Sequence, residues 1–227
     1  MFKTETHLHT SEVSPCSRIR AVEMIRLYYE AGYKTVFITD HFQANTIDAL
    51  GDIPWCEKTA IFLAGYYKAK HAGDALGVNV IMGAEFRFLD APNHYLAYGI
   101  SKEFLDRYPD IHKITVEQFR KIAVENGIFV IQAHPYRDGS CYPTPDLVDG
   151  IEVYNSNPRH ADYSDMSEKL AREKRLPVIA GSDSHRPEDV CLCGILTETE
   201  IKTADDFIRL VKSGNIEVIR SNVETEV

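Results

Sequence analysis

Residues 35–41, Thr35-Val36-Phe37-Ile38-Thr39-Asp40-His41, decide the fold. The first five are β-branched or apolar, a run too short for a helix and continuous enough for a strand buried on both faces. A polar pair, Asp40-His41, follows at once, although packing a buried strand calls for neither residue. Upstream, residues 17–31 read as a helix: Val22, Ile25, Tyr28 and Tyr29 fall near one face, and Gly32 supplies a left-handed stop.

The same unit recurs in both directions. Further strands are expected over 2–6, 78–83, 95–100, 128–131, 150–154 and 177–180. Helices are expected over 57–76, from Thr115 to a stop at Gly127, over 165–174, and over 205–211 with a stop at Gly214. Thr115-x-x-Gln118 has the capping-box pattern. About seven strands alternating with helices argue for parallel pairing and a barrel-sized α/β architecture. Residues 42–56 read as a loop or lid beside a site. No linker, repeat or low-complexity stretch divides the chain, so a single domain over 1–227 is expected.

Composition narrows the function classes. Of 227 residues, 44% are hydrophobic and 26% charged, a globular mix that buries a core without disulfide staples. The net charge of −9 disfavours long nucleic acid and membrane surfaces, because neutralising phosphates takes surplus Lys and Arg. It leaves room for a local basic pocket around one phosphate, and for carboxylates that serve as cation ligands. No run is long enough to span a bilayer, and Met1-Phe2-Lys3-Thr4-Glu5 does not open a signal peptide, so a cytoplasmic location is expected. The five cysteines (Cys16, Cys56, Cys141, Cys191 and Cys193) are odd in number and scattered, and read as reduced thiols. Cys191-x-Cys193 lacks the second pair that would complete a thiolate metal site.

The histidines and carboxylates fall in a pattern. His7 and His9 follow the first strand, Asp40 and His41 the second, and Glu85 the strand ending at Gly83. His94 opens the next strand, His134 follows residues 128–133, Glu152 lies within its strand, and Asp183 and His185 follow 177–180. Taken singly, each has an ordinary explanation: a satisfied histidine, a helix cap, a surface acid. Jointly, six of the nine histidines stand at the carboxyl ends of strands or beside them, where barrel active sites are built. So many imidazoles and carboxylates converging without a cation would be badly desolvated. Zinc, iron or manganese would satisfy them. His7 and His9 share a strand face and can grip one cation, and Asp183 and His185 repeat that spacing. Two such pairs exceed one tetrahedral site and indicate two or three divalent ions with a bridging carboxylate.

His7-Leu8-His9-Thr10, Thr39-Asp40-His41, Gly83-Ala84-Glu85, Ala133-His134-Pro135 and Gly181-Ser182-Asp183-Ser184-His185 resemble, in order, the motifs of the PHP (polymerase and histidinol phosphatase) family. The resemblance implies a distorted, TIM-barrel-like (β/α)7 barrel with a trinuclear metal cluster at the carboxyl ends of its strands. It implies that His7, His9, Glu85 and Asp183 hold the first metal, that Glu85 bridges to a second shared with His94 and His134, and that His41 and His185 hold the third. The segment Thr10-Ser11-Glu12-Val13-Ser14-Pro15-Cys16 departs from the family pattern, which places another His or Asp here. Glu12 is the first substitute and Cys16 the second. The implied activity is metal-dependent hydrolysis of a small soluble phosphate ester. Asp40 and His185 are the candidate acids, with Asp40 also able to orient a ligand. Arg159, Asn155 and Arg18 are candidate phosphate contacts, and Tyr136 and Tyr142 candidate residues of the pocket mouth. A metal-dependent hydrolase of C–N or carboxyl-ester bonds, and a non-catalytic metal-stabilised interaction module, are the competing readings.

Overall fold

The computed structural model describes residues 1–89, 91–161, 163–191 and 193–220. In chain order these form β1 (Phe2–Glu5), α1 (Ala21–Glu30), β2 (Tyr33–Ile38), β3 (His41–Phe42), α2 (Ala44–Ile47), α3 (Trp55–Phe62), α4 (Ala64–Leu76), β4 (Asn79–Arg87) and β5 (His94–Tyr98). There follow α5 (Lys102–Arg107), α6 (Val116–Glu125), β6 (Phe129–Ala133), β7 (Gly150–Asn155), α7 (Ser164–Lys174), β8 (Val178–Gly181), β9 (Cys193–Thr197), α8 (Ala204–Ser213) and β10 (Glu217–Arg220). One sheet runs β10-β9-β1-β2-β4-β5-β6-β7-β8, with β3 also on β4.

This sheet curls into a nearly closed barrel, and the seam lies beside the first histidine motif. Beyond β1, Leu8 bridges Ser184 in parallel. The Asp183 N–H donates to the His7 carbonyl at 2.8 Å and the His9 N–H to the Ser184 carbonyl at 3.0 Å. Glu5 reinforces the seam from inside, because its Oε1 accepts the N–H groups of Thr6, His7 and Ser182 at 2.9, 2.9 and 3.0 Å. Tyr28 of α1 donates to its other oxygen at 2.7 Å. At the amino end of β1 the neighbour is instead β9, which pairs antiparallel with it.

The expected parallel pairing holds for β1–β2, β2–β4, β6–β7 and β7–β8. It fails at β5, which is antiparallel to both β4 and β6. The reason is length: residues 88–93 join β4 to β5, whereas a parallel crossover takes a dozen residues or more. Among the described residues the sheet has ten strands where the sequence pattern gives seven, the additions being β3, β9 and β10. The expected loop over 42–56 contains part of β3, all of α2 and the start of α3. The expected helix over 57–76 breaks at Leu63, between α3 and α4.

On α1 the buried face is Ala21, Met24, Ile25 and Tyr28, while Val22 and Tyr29 are exposed. The sequence reading of that face is therefore rotated: spacing i, i+3, i+4, i+7 selects Ala21 as its first member. The Thr115 capping box forms as expected, with Thr115 Oγ1 accepting the Gln118 N–H and Gln118 Oε1 accepting the Thr115 N–H. Thr203 and Asp206 build a second one at α8, whose Phe207 packs on Phe37 of β2 and Tyr98 of β5. Gly65 lets α4 approach the first motif, since a Cβ there would lie 2.1 Å from Thr10 Oγ1.

Candidate metal centre

Glu85, at the carboxyl end of β4, is the hub. Its oxygens lie 3.3 Å from His7 Nε2, 3.5 Å from His9 Nε2, 2.6 Å from His41 Nδ1, 2.9 Å from His94 Nδ1 and 3.2 Å from His134 Nε2. Register explains the convergence. β3 places His41 opposite Glu85, and the reversed β5 brings its first residue, His94, beside Arg87 and Ala133. His94, like His41 at the start of β3, thus joins the cluster from the start of a strand, while His7, His9, His134 and Asp183 follow strand ends.

Asp183 is a second acceptor, 3.4 Å from His7 Nε2 and 3.0 Å from His9 Nε2. His7 Nδ1 is held by Glu152 Oε1 at 2.8 Å, which leaves Nε2 facing the cluster. Glu152 also accepts the His134 N–H. Space around these groups is tight: a Cβ on Gly181 would lie 2.4 Å from that of His7 and 2.9 Å from Glu152 Oε1. Two motif residues, His134 (φ 29°) and Asp183 (φ 52°), have positive φ without being glycine. Such backbone costs on the order of 1–3 kcal/mol per residue and is characteristic of functional sites.

The electrostatics call for added positive charge. Burial opposes ionisation of Glu85, but His94, His41 and His7 outweigh it and hold the carboxyl well below its ordinary range. Asp183 is likewise held down against burial, by Arg137 and His7. Burial disfavours charge on His41, but Glu85 overcomes it and lifts the imidazole to about 10. His7 is raised against burial by Glu152, Asp183 and Glu85. Burial pushes His134 down to about 4 and, with His41 and His185, lowers His9. Protons on some imidazoles balance the carboxylates, a role that divalent cations fill with better geometry. Glu85 Oε2 and His41 Nδ1, though close, make no aligned hydrogen bond. Of four groups among the described residues whose ligand atoms lie within 4.8 Å of one another, three belong to this centre: His7, His9 and Glu85; His41, Glu85 and His94; and His9, His41 and His185. This donor set, imidazole with carboxylate, fits zinc, iron or manganese.

The other expected site residues are dispersed. Asp40 is buried off the cavity wall and accepts from the Thr10 N–H, the Thr10 hydroxyl and the Ser14 hydroxyl, each at 2.7 Å. Burial raises its carboxyl to about 6 despite those bonds. Glu12 does not join the cluster: its Oε2 accepts the Ala21 N–H at 3.0 Å, because the free N–H groups that open a helix attract a carboxylate. Cys16 faces His41 and His185 instead. Burial alone would raise its thiol, but hydrogen bonds with both imidazoles bring it to about 6. The Arg18 side chain is exposed, and its N–H donates to the His185 carbonyl. Arg159 lines the cavity but is forked onto Asp189 at 2.8 and 2.6 Å. Asn155 bridges Arg137 and Glu152. Tyr136 borders a small cleft beside His134 and Arg137, while Tyr142 is exposed. The thiols of Cys191 and Cys193 face separate carbonyls, those of Leu27 and Tyr154.

The cavity that opens on the cluster is lined by His41, His94, His134 and His185, with Arg87, Arg137, Arg159 and Arg186 around them. Arg137 is the main residue that the sequence reading missed. It donates to Asp183 Oδ2 at 2.6 Å and to Asn155 Oδ1 at 2.9 Å. Its place two residues after His134-Pro135 was the available signal. His160, which pairs with Asp138, also borders the cavity.

The chain is thus a nearly closed α/β barrel with histidines and carboxylates gathered at one end. The PHP-associated family profile matches residues 163–216. Among solved structures, a two-domain protein from Bacteroides vulgatus containing a predicted PHP-like metal-dependent phosphoesterase is 16% identical with a TM-score of 0.70, covering 97% of this chain and 65% of that one. This chain thus spans less than two thirds of that protein. A putative metal-dependent phosphoesterase from Bifidobacterium adolescentis is 16% identical with a TM-score of 0.58, covering 95% of this chain and 97% of its own. A lesion-specific endonuclease from Pyrococcus furiosus is 16% identical with a TM-score of 0.65, covering 96% of this chain and 57% of its own. No curated protein matches the sequence. The profile match and the shared fold agree with the resemblance read from the motifs. No helix among the described residues is long and apolar enough to cross a membrane.

Proposed function

We propose that this chain hydrolyses phosphate esters of small soluble substrates, using two or three divalent ions held by His7, His9, His41, Glu85, His94, His134, Asp183 and His185. One observation carries the reading: a single buried carboxylate, Glu85, has five imidazoles within 3.5 Å. Bound cations would supply Lewis-acid stabilisation of a phosphoryl group and a lowered pKa for water. The remaining work falls to the chain. Glu152 fixes the orientation of His7. Asp40 anchors Thr10 and Ser14, a positioning role in place of proton transfer. The cavity arginines, with Arg137 held by Asp183 and Arg159 by Asp189, line the opening on a chain of net charge −9 and set guanidinium charge beside the cluster. Positioning and charge stabilisation dominate phosphoryl transfer, so such a rim favours phosphate over an uncharged amide.

The test combines metal analysis with turnover. Protein purified without chelator or histidine tag should carry about two to three transition-metal ions per chain, as multi-metal hydrolysis requires. It should cleave p-nitrophenyl phosphate or bis-p-nitrophenyl phosphate, and lose that activity to chelator while its far-ultraviolet circular dichroism persists. Metal content near zero after supplementation would overturn the proposal. Cleavage of amides or carboxyl esters alone would replace it with the competing hydrolase class.

A further inference from the structure

Cleavage of a phosphate ester leaves an electron pair on the departing oxygen, and a basic leaving group departs slowly until a positioned acid supplies a proton. Asp40 is buried off the cavity wall, and His185 belongs to the imidazole groups of the centre. We propose that His160, oriented by Asp138, is the general acid that protonates the leaving oxygen. The inference rests on the phosphoesterase reading above and adds to it a proton donor outside the metal ligands.

Three of the nine histidines, His71, His112 and His160, stand outside the cluster. His71 is exposed on α4, and His112 is buried against Trp55. His160 instead lines the cavity that opens on the centre, as Asp138 and the ligand His134 do. Its Nδ1 lies 2.9 Å from Asp138 Oδ2. A carboxylate only accepts, so this contact places a hydrogen on Nδ1 and leaves Nε2 as the position that gains and loses a proton. Nε2 has no hydrogen-bond partner among the described residues. A carboxylate behind an imidazole in this way fixes its tautomer and stabilises the imidazolium.

The backbone fastens both halves of the pair to the centre through Asp183. Asp138, with a positive φ of 54°, directly follows Arg137, which donates to Asp183 Oδ2 at 2.6 Å. On the other turn, the buried Asn157 amide donates to the same oxygen at 3.3 Å, and the Asn157 carbonyl accepts the His160 N–H at 3.3 Å. Arg159, between them, is forked onto Asp189, which also accepts the His185 N–H. The pair therefore joins the turns after β6 and β7 over one carboxylate of the cluster. In the step, the oxygen of a water molecule bonds to phosphorus and the ester P–O bond breaks, its electron pair staying on the leaving oxygen. That oxygen takes the proton from Nε2 of the His160 imidazolium and departs as an alcohol or phenol. The attacking water releases its proton to solvent, and the His160 side chain, 32% exposed, takes one back from solvent.

Leaving-group dependence tests the assignment. Full-length, metal-loaded protein is assayed on ring-substituted phenyl phosphates of similar size, from p-nitrophenyl to p-methoxyphenyl phosphate. The p-nitrophenolate ion leaves without much help, whereas the more basic phenolates need a proton. In the wild type, kcat should vary little along the series. In His160→Gln the loss of kcat should grow with the basicity of the leaving group, reaching about 100-fold for the most basic, the scale of general acid catalysis. Asp138→Asn, a residue that also tolerates positive φ, should steepen the dependence in the same direction. A loss in His160→Gln that is equal for all esters, as a structural role or lost metal would give, or no loss at all, overturns the His160 assignment and leaves the phosphoesterase reading standing. An unchanged dependence in Asp138→Asn overturns the orienting role of Asp138. No cleavage of any of the esters by the metal-loaded wild type overturns both readings.

Discussion

Glu85 touches more of the centre than any other side chain, and so does most of its electrostatic work. Glu85→Gln removes the negative charge while keeping the shape. Metal content should fall, and turnover should drop by more than the about 10–100-fold typical of losing a partner behind a ligand. Full activity in that variant would remove the carboxylate from the mechanism. Glu152 is such a partner, since it grips His7 Nδ1. Glu152→Gln should weaken metal affinity by about 10–100-fold in equilibrium dialysis with the fold intact. Unchanged affinity would show that His7 is oriented without it. At this scale the sequence is informative where residue type and strand-end position coincide, as for His7, His41, His134 and Asp183. It is silent where the role depends on reach. Nothing local marks Arg137 as the partner of Asp183, or Glu12 as bound to the N-terminus of α1 nine residues on.

Among the elements, β5 departs furthest from expectation, and it is also what brings His94 to the site. The period of a hydrophobic run identifies a strand but not its direction. The connection of residues 88–93 held that information, through its length. The turn after β8 is braced by Asp189, which accepts from Arg159 and from the His185 N–H. Burial opposes its charge, but Arg159 and the backbone donors prevail, so its folded pKa lies below the ordinary aspartate value of about 3.9. The sign follows: the stabilisation is present above the unfolded value and is lost as pH falls through the folded one. Asp189→Asn should therefore lower the melting temperature at neutral pH, and the gap to wild type should close as the pH drops below about 4. A gap independent of pH would mean that the ion pair is not its source. Gly181→Ala tests the crowding beneath His7. With a Cβ forced to 2.4 Å from that of His7, it should destabilise the protein by about 1–3 kcal/mol, as overpacking does, and reduce metal content together with stability.

For the whole molecule, the alternation of strands and helices was legible, while the seam was not. Closure rests on hydrogen bonds between residues near positions 7 and 183, and no local pattern reports a pairing across nearly the entire chain. This seam and the β4–β5 hairpin differ in the kind of contact each makes. Glu85 meets His94 across a hairpin, at a separation of 9 residues. Glu5 meets Ser182 at a separation of 177. The entropy lost in closing a loop grows with the logarithm of its length, so the first encounter is the cheaper and the second falls late. Two of the eight candidate ligands, Glu85 and His94, are thus brought together by a short-range contact before the ring exists, while those at the seam are placed only by completing it. In stopped-flow denaturant jumps on metal-free protein, destabilising substitutions within the hairpin should slow folding, while those at the seam should mainly speed unfolding. Equal effects on both limbs from both places would refute that order. If it holds, the first motif residues a cation encounters on a folding chain are Glu85 and His94, with the barrel drawn shut around them.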